Sequence, residues 1–145
     1  MYKIKVTSDY ESLIPFFEEN GLELENSENF PIEILKNWRC DDAGSGELLA
    51  AASLQKISGH FVLEDLAVRE DMRRTGLGKE LLRMVEQEAK SMGAEDFWLV
   101  AKVPQYYKKF QWQEVPREEA PDISKCFHCE NYKKTCFPSI MRKSL

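Results

Sequence analysis

The sequence predicts a mixed α/β domain built on a twisted, mostly antiparallel central sheet flanked by helices. Three observations point there. The 145 residues suit one domain, and a chain of about that length can bury on the order of 70% of the surface its unfolded form exposes. Eight Phe, five Tyr and three Trp are more core formers than a disordered tail or a disulfide-stapled miniprotein carries. Apolar strand patterns also alternate with helical ones, with no repeat, low-complexity tract or linker to mark a second domain. Residues 1–145 therefore read as one domain, with 116–145 as a cysteine-bearing tail.

The elements follow in order. Lys3 to Thr7 alternates apolar and polar residues, the mark of a half-buried strand. Ser8 and Glu11 have capping-box spacing and open a helix through Phe17, which Pro15 should bend or restart and Asn20-Gly21 should stop. Pro31 suits the first turn of a short helix through Lys36. A strand over Asn37 to Cys40 then leads through the turn-rich Asp41 to Gly46 into a strand over Leu48 to Gln55. Ser58-Gly59 turns the chain into His60 to Val68, whose nearly continuous apolar run suggests a central strand. Leu77 to Met92 is the clearest helix, with one apolar stripe through Leu77, Leu81, Val85 and Met92, and Gly93 ends it. A strand over Phe97 to Val103, a short helix over Gln105 to Phe110, a strand over Gln111 to Val115 and a final strand over Ile140 to Lys143 complete the order.

Composition narrows the classes of function. No apolar run approaches the roughly 20 residues of a membrane span, and the first residues lack the apolar stretch and cleavage site of a signal peptide. A soluble, cytoplasmic protein is expected. Twenty Lys and Arg against 25 Asp and Glu leave a net charge of −5, so the global positive field of a nucleic-acid binder is missing and any anion site must be local.

That local site is legible between Leu66 and Leu82. An apolar strand ends at Val68, and a polar loop then brings Arg73-x-x-Gly76-x-Gly78 to the start of the amphipathic helix. Free amides at a helix N-terminus carry positive partial charge and suit a pyrophosphate, and the two glycines let a ligand approach the backbone. Arg73, Arg74 and Lys79 form a cationic cluster in an acidic chain. The Rossmann fingerprint is excluded because position 81 is Leu where a third glycine is needed. A Walker A loop is excluded because Glu80 follows Gly78-Lys79 and the earlier glycine is missing.

On these residues the chain resembles the GCN5-related N-acetyltransferase (GNAT) family, whose hallmark is a Gln/Arg-x-x-Gly-x-Gly/Ala loop between a central strand and a helix. The resemblance covers roughly Lys3 to Val115 and implies the family's acyl-CoA N-acyltransferase fold. It also implies acetyl-CoA as acyl donor, held by Arg73, Arg74, Thr75, Gly76, Leu77, Gly78 and Lys79. Leu66, Ala67 and Val68 are similar to the family's splayed strand, whose backbone pairs with the pantetheine arm.

Acyl transfer from a thioester to an amine sets three chemical requirements. The ammonium must lose a proton, the oxyanion needs a donor, and the departing thiolate needs a proton. The family resemblance places the oxyanion donor at the backbone N–H near Val68. Tyr106-Tyr107-Lys108-Lys109-Phe110-Gln111-Trp112 resembles the family's Phe-Tyr-x-x-x-Gly-Phe segment, which makes Tyr107 the general acid and puts Gln111 where the family has glycine. Simple alternation puts Glu64, Leu66 and Val68 on one face and Asp65 and Ala67 on the other. The family's strand often carries an acid or His on the Leu66 face, so Glu64 is the base, directly or through water, ahead of His60. The alternative for Glu64 is a solvated or salt-bridged carboxylate, and for the tyrosines a purely structural place.

Three of the four cysteines cluster in the tail as Cys126-Phe127-His128-Cys129 and Cys136. The spacing has metal-ligand character, but a structural zinc site almost always has four ligands and this set falls short unless Cys40 is brought near. Zinc is therefore possible but not favoured, and no metal residue is assigned; reduced thiols or a disulfide are the other possibilities. From Pro121 to Met141 the tail is similar to the end of N-acetylglutamate synthase-like amino-acid acetyltransferase domains, which tilts the acceptor toward a small amine or amino acid. The expected function is acetyl transfer from acetyl-CoA to a primary amine by direct attack on the thioester, in a monomer or homodimer without nucleic-acid or membrane partners. The rival is an inactive acyl-CoA sensor or an interaction module with a zinc-stabilised tail.

Overall fold

The computed structural model describes residues 1–22, 32–124 and 138–145. Strands β1 (Tyr2–Thr7), β2 (Ile32–Asp42), β3 (Leu48–Ile57), β4 (His60–Val68), β5 (Asp96–Ala101), β6 (Gln113–Val115) and β7 (Ser139–Ser144) alternate with helices α1 (Ile14–Glu19), α2 (Leu77–Ser91) and α3 (Pro104–Lys108). The strands form one seven-stranded sheet in the order β1-β2-β3-β4-β5-β7-β6. Neighbours are antiparallel except β4 and β5, which run parallel across the α2 crossover.

This is the expected mixed sheet, with β4 at its centre, and it corrects several local readings. Residues 32–36 are not helical. Ile32 and Ile34 open β2, whose residues pair with Ile57 and Gln55 of β3, and long-range pairing overrides the helix-start value of Pro31. Ser8 does not cap the first helix; Asp9 Oδ1 accepts from the Ser12 amide at 3.2 Å instead. A 3-10 turn over Glu11–Leu13 precedes α1, and Pro15 sits in the first turn of α1, so the helix does restart there. Met92 lies beyond the end of α2 and is 40% exposed. Fully buried Ala89 closes the apolar stripe in its place.

The helices cover opposite faces. Leu77, Leu81, Leu82 and Val85 of α2 pack with Leu63, Phe97, Leu99 and Met141, each such side chain contributing about 1.5–3 kcal/mol by leaving water. Leu13, Phe16 and Phe17 pack on Ala51 and Ala67. The sheet between is lined by Ala50, Ala51 and Ala52, all fully buried, whose small side chains let both helices lie close. Glu86 of α2 accepts from Trp112 Nε1 at 3.1 Å and Lys143 Nζ at 3.0 Å, tying α2 to the β6–β7 end of the sheet.

Candidate active site

The sheet is split beside its central strand. β4 and β5 are in register only at Val62↔Trp98, while β5 spends its far edge pairing with β7 along its length. The Arg69 amide donates to the Leu49 carbonyl at 2.8 Å, so by antiparallel alternation Asp65 and Ala67 turn their backbone groups to β3, and Leu66 and Val68 turn theirs into the gap. A cavity of about 730 Å³ fills this wedge.

A β-bulge sits on one wall. Ser53 pairs with Asp65 but Leu54 pairs with Leu63, leaving Glu64 as the extra residue on β4. The bulge corrects the expected face assignment. Leu63, not Glu64, joins Leu66 and Val68 in the cluster beneath α2, while Val62 and Ala67 belong to other clusters. Glu64, no longer fixed by strand parity, is half-buried and lines the cavity. Asp65 beside it is buried and accepts from Tyr10 Oη at 2.7 Å. Burial and this carboxylate both push the Tyr10 phenol well above the ordinary range, so it stays a donor. His60 stacks edge-on against Trp98 at 6.4 Å and is absent from the cavity lining.

The predicted anion turn stands at the mouth. Gly76 caps α2 at φ +88°, a left-handed conformation that L side chains resist, and provides no side chain to satisfy the first helical amides. Arg73, Arg74, Gly76, Gly78 and Lys79 line the cavity. Thr75 and Leu77 do not: the Thr75 hydroxyl donates to the Met72 carbonyl at 2.6 Å, and the Leu77 side chain is core. They take part in the turn through their backbones. Arg73 lies across the wedge, its Nε donating to the Val68 carbonyl at 3.0 Å and its Nη2 to Asn20 Oδ1 at 3.4 Å.

Tyr106 and Tyr107 line the far wall from α3. The Tyr107 ring packs against Trp112 at 6.0 Å and Tyr106 at 5.2 Å, and burial pushes its phenol above the ordinary range, as it does for Tyr106. Gln111 takes φ +72°. The tight turn from α3 toward β6 is thus kept without the family's glycine, and the Trp112 amide closes it by donating to the Tyr107 carbonyl at 3.3 Å.

Two contributions had no signature in the sequence. Asn20, Gly21 and Leu22, at the end of α1, line the mouth with Lys102, which donates to the Gly21 carbonyl at 3.4 Å; they lie about 80 residues apart and meet only through the sheet. Ser124 and Pro138 also border the cavity. Cys126, Cys129 and Cys136 lie outside the described residues, and among the described residues no three His, Cys, Asp or Glu side chains gather as a metal site. Cys40 is buried in the α2 cluster.

A sheet opened beside its central strand, with a bare, cationic helix N-terminus at the mouth, defines the acyl-CoA N-acyltransferase fold class. Residues 5–111 match the model of the acetyltransferase (GNAT) family. The chain belongs to that family and is an acetyl-CoA-dependent N-acetyltransferase. No curated protein matches it in sequence. Among solved structures it is similar to a GNAT acetyltransferase from Staphylococcus aureus, with TM-score 0.68, 15% identity, and 99% of each chain covered. It is also similar to Neisseria gonorrhoeae N-acetylglutamate synthase complexed with coenzyme A and N-acetyl-glutamate, with TM-score 0.66 and 18% identity. That match covers 99% of this chain but 35% of the synthase, so the chain spans about a third of the synthase's length. Escherichia coli ribosomal-protein-S18-alanine N-acetyltransferase gives TM-score 0.64 at 18% identity, covering 99% of this chain and 94% of the other. At these identities the likeness is one of fold. No described helix is long and apolar enough to cross a membrane.

Proposed function

We propose that the acceptor is the primary amine of a small molecule or amino acid, that the acetyl group passes to it by direct attack on the thioester, and that Glu64 and Tyr107 handle the protons. The observation that carries the reading is the wedge itself, which lines one cavity with the bulged carboxylate, the α2 anion turn and a tyrosine. The chain's residues fit the donor. The Leu66 and Val68 backbones point into the gap, and Gly78 leaves a cradle that a Cβ would fill, since that atom would fall 2.7 Å from Tyr106 Oη.

When bound, acetyl-CoA supplies an activated acetyl thioester. Arg73, Arg74, Lys79 and the free amides after Gly76 hold its diphosphate at the mouth. Glu64 takes a proton from the incoming ammonium, directly or through water, because the protonated amine has no lone pair to attack with. The Val68 N–H, aimed into the wedge, faces the developing oxyanion. Tyr107, kept protonated by burial, donates to the departing thiolate. The N-acetyl-glutamate in the gonococcal synthase complex supports an amino acid among the candidate acceptors. We place the enzyme in the cytoplasm as one domain over 1–145, acting without a nucleic-acid or membrane partner.

The test is an acceptor screen with amino acids, polyamines, aminoglycosides and peptides, scored by CoA release. One small-amine class should raise release well above acetyl-CoA hydrolysis, and Glu64→Gln should abolish most of that gain. Stimulation by peptides alone would refute the small-molecule acceptor. Tight CoA binding with no stimulation by any amine would refute the small-amine reading in favour of a sensor.

A further inference from the structure

α3 presents its two adjacent tyrosines differently. Consecutive helical residues point about 100° apart, and here Tyr107 turns onto Trp112 while Tyr106 leans across the wedge toward α2. A Cβ placed on Gly78 would lie 2.7 Å from Tyr106 Oη and 3.4 Å from Val68 Cγ2. The hydroxyl is therefore held against the second residue of α2, beside the amides left without a side-chain cap. It makes no hydrogen bond with any described residue. Its ring is fixed edge-on against Tyr107 and Phe110, both at 5.2 Å. Among the described residues the phenol therefore stands without a hydrogen-bond partner beside the cationic turn proposed to hold the diphosphate.

We infer that Tyr106 is a diphosphate-positioning residue, its hydroxyl adding a donor from the opposite wall of the wedge to the amides of the α2 turn. This rests on the proposed donor site and deepens it. Gly78 then has a second reason to be glycine, because any side chain there would displace the Tyr106 hydroxyl. It also separates the two tyrosines by task, with Tyr106 holding the donor's charged end and Tyr107 serving the thiolate. Burial raises the Tyr106 phenol above its ordinary value, so it remains protonated and able to donate at every working pH.

Calorimetry with two probes tests this: CoA, and pantetheine, which has the same arm and thiol but no diphosphate. A hydrogen bond to a charged group is strong enough that Tyr106→Phe should weaken CoA binding on the order of 10-fold. Pantetheine affinity and kcat at saturating acetyl-CoA should stay within about two-fold. Phe keeps both ring contacts, so the variant is not expected to unfold, and a melting curve checks this. Gly78→Ala should give a CoA-selective loss at least as large, and the double variant should lose little more than Gly78→Ala alone, since the added Cβ already displaces the Tyr106 hydroxyl. Unchanged CoA affinity in Tyr106→Phe overturns the inference. Equal losses for CoA and pantetheine overturn it in favour of simple packing. A fall in kcat with CoA affinity intact overturns it by making Tyr106 the proton donor. If the wild-type protein binds no CoA, the donor-site reading itself fails, and that result is distinct from the other three.

Discussion

Gln111 stands at φ +72°, where the family's own segment has glycine, and Gln111→Gly isolates the cost of that choice. The left-handed conformation costs an L residue about 1–2 kcal/mol through the clash of Cβ with the following carbonyl. Glycine removes that term but loosens the unfolded chain, which costs about 0.5–1 kcal/mol. The Gln111 side chain is exposed and makes no hydrogen bond among the described residues, so the difference should appear as a net stabilisation of about 0.5–1 kcal/mol. For a domain of this size that raises Tm by about 1–4 °C. Gln111→Ala keeps the backbone cost and serves as the control, expected within about 0.5 kcal/mol of the wild type. Urea unfolding of all three proteins gives the numbers, and turnover should not change, because the turn that carries Tyr107 keeps its shape. A glycine variant no more stable than the alanine variant would refute the claim that the conformation is strained.

Three further outcomes are expected. Tyr107→Phe should lower kcat on the order of 100-fold while acetyl-CoA binding survives; unchanged turnover removes it as general acid. A double Arg73→Ala, Gly76→Asp variant, folded by circular dichroism, should lose CoA binding in calorimetry, and wild-type affinity would place the diphosphate elsewhere. Burial pushes the Cys40 thiol up to about 11 from an ordinary 9.0. Its folded pKa is raised, so the unfolded chain loses the proton first. The stabilisation is present below pH ~9 and about 3 kcal/mol of it is lost as pH rises toward 11. Cys40→Ala should flatten that stretch of the stability–pH curve, and an unaltered slope would show that the thiol is not its source.

Legibility differed from element to element for physical reasons. α2 could be placed almost to the residue because its signals are local: a glycine at the start, a 3.6-residue apolar stripe and Gly93 at the end. The Arg73 to Lys79 segment is readable as a turn for the same reason, being a run of residues whose backbone conformation and charge are fixed within a few positions. Residues 32–36 differ from the expected helix because Pro31 speaks for a helix start, while the partners that make this part of β2 a strand lie about 20 residues on, in β3. Met92 fitted the stripe by spacing, yet the helix ends before it and Ala89 fills the last buried position.

The site divides along the same line. By itself the sequence supplies the candidate groups for the proposed chemistry: the Arg73 to Lys79 turn, two tyrosines beside a helix-to-strand turn, and a carboxylate on the central strand. Only the tertiary structure decided how they face one another. A bulge that exists only in the pairing of β3 with β4 frees Glu64 from the parity its neighbours obey. The splay of β4 from β5 exposes backbone groups that any sequence-level view would assign to a continuous sheet. The approach of Tyr106 to Gly78 joins residues on opposite walls of that splay. Bulge, splay and approach depend on how strands meet across dozens of residues, and local propensity carries no information about such meetings.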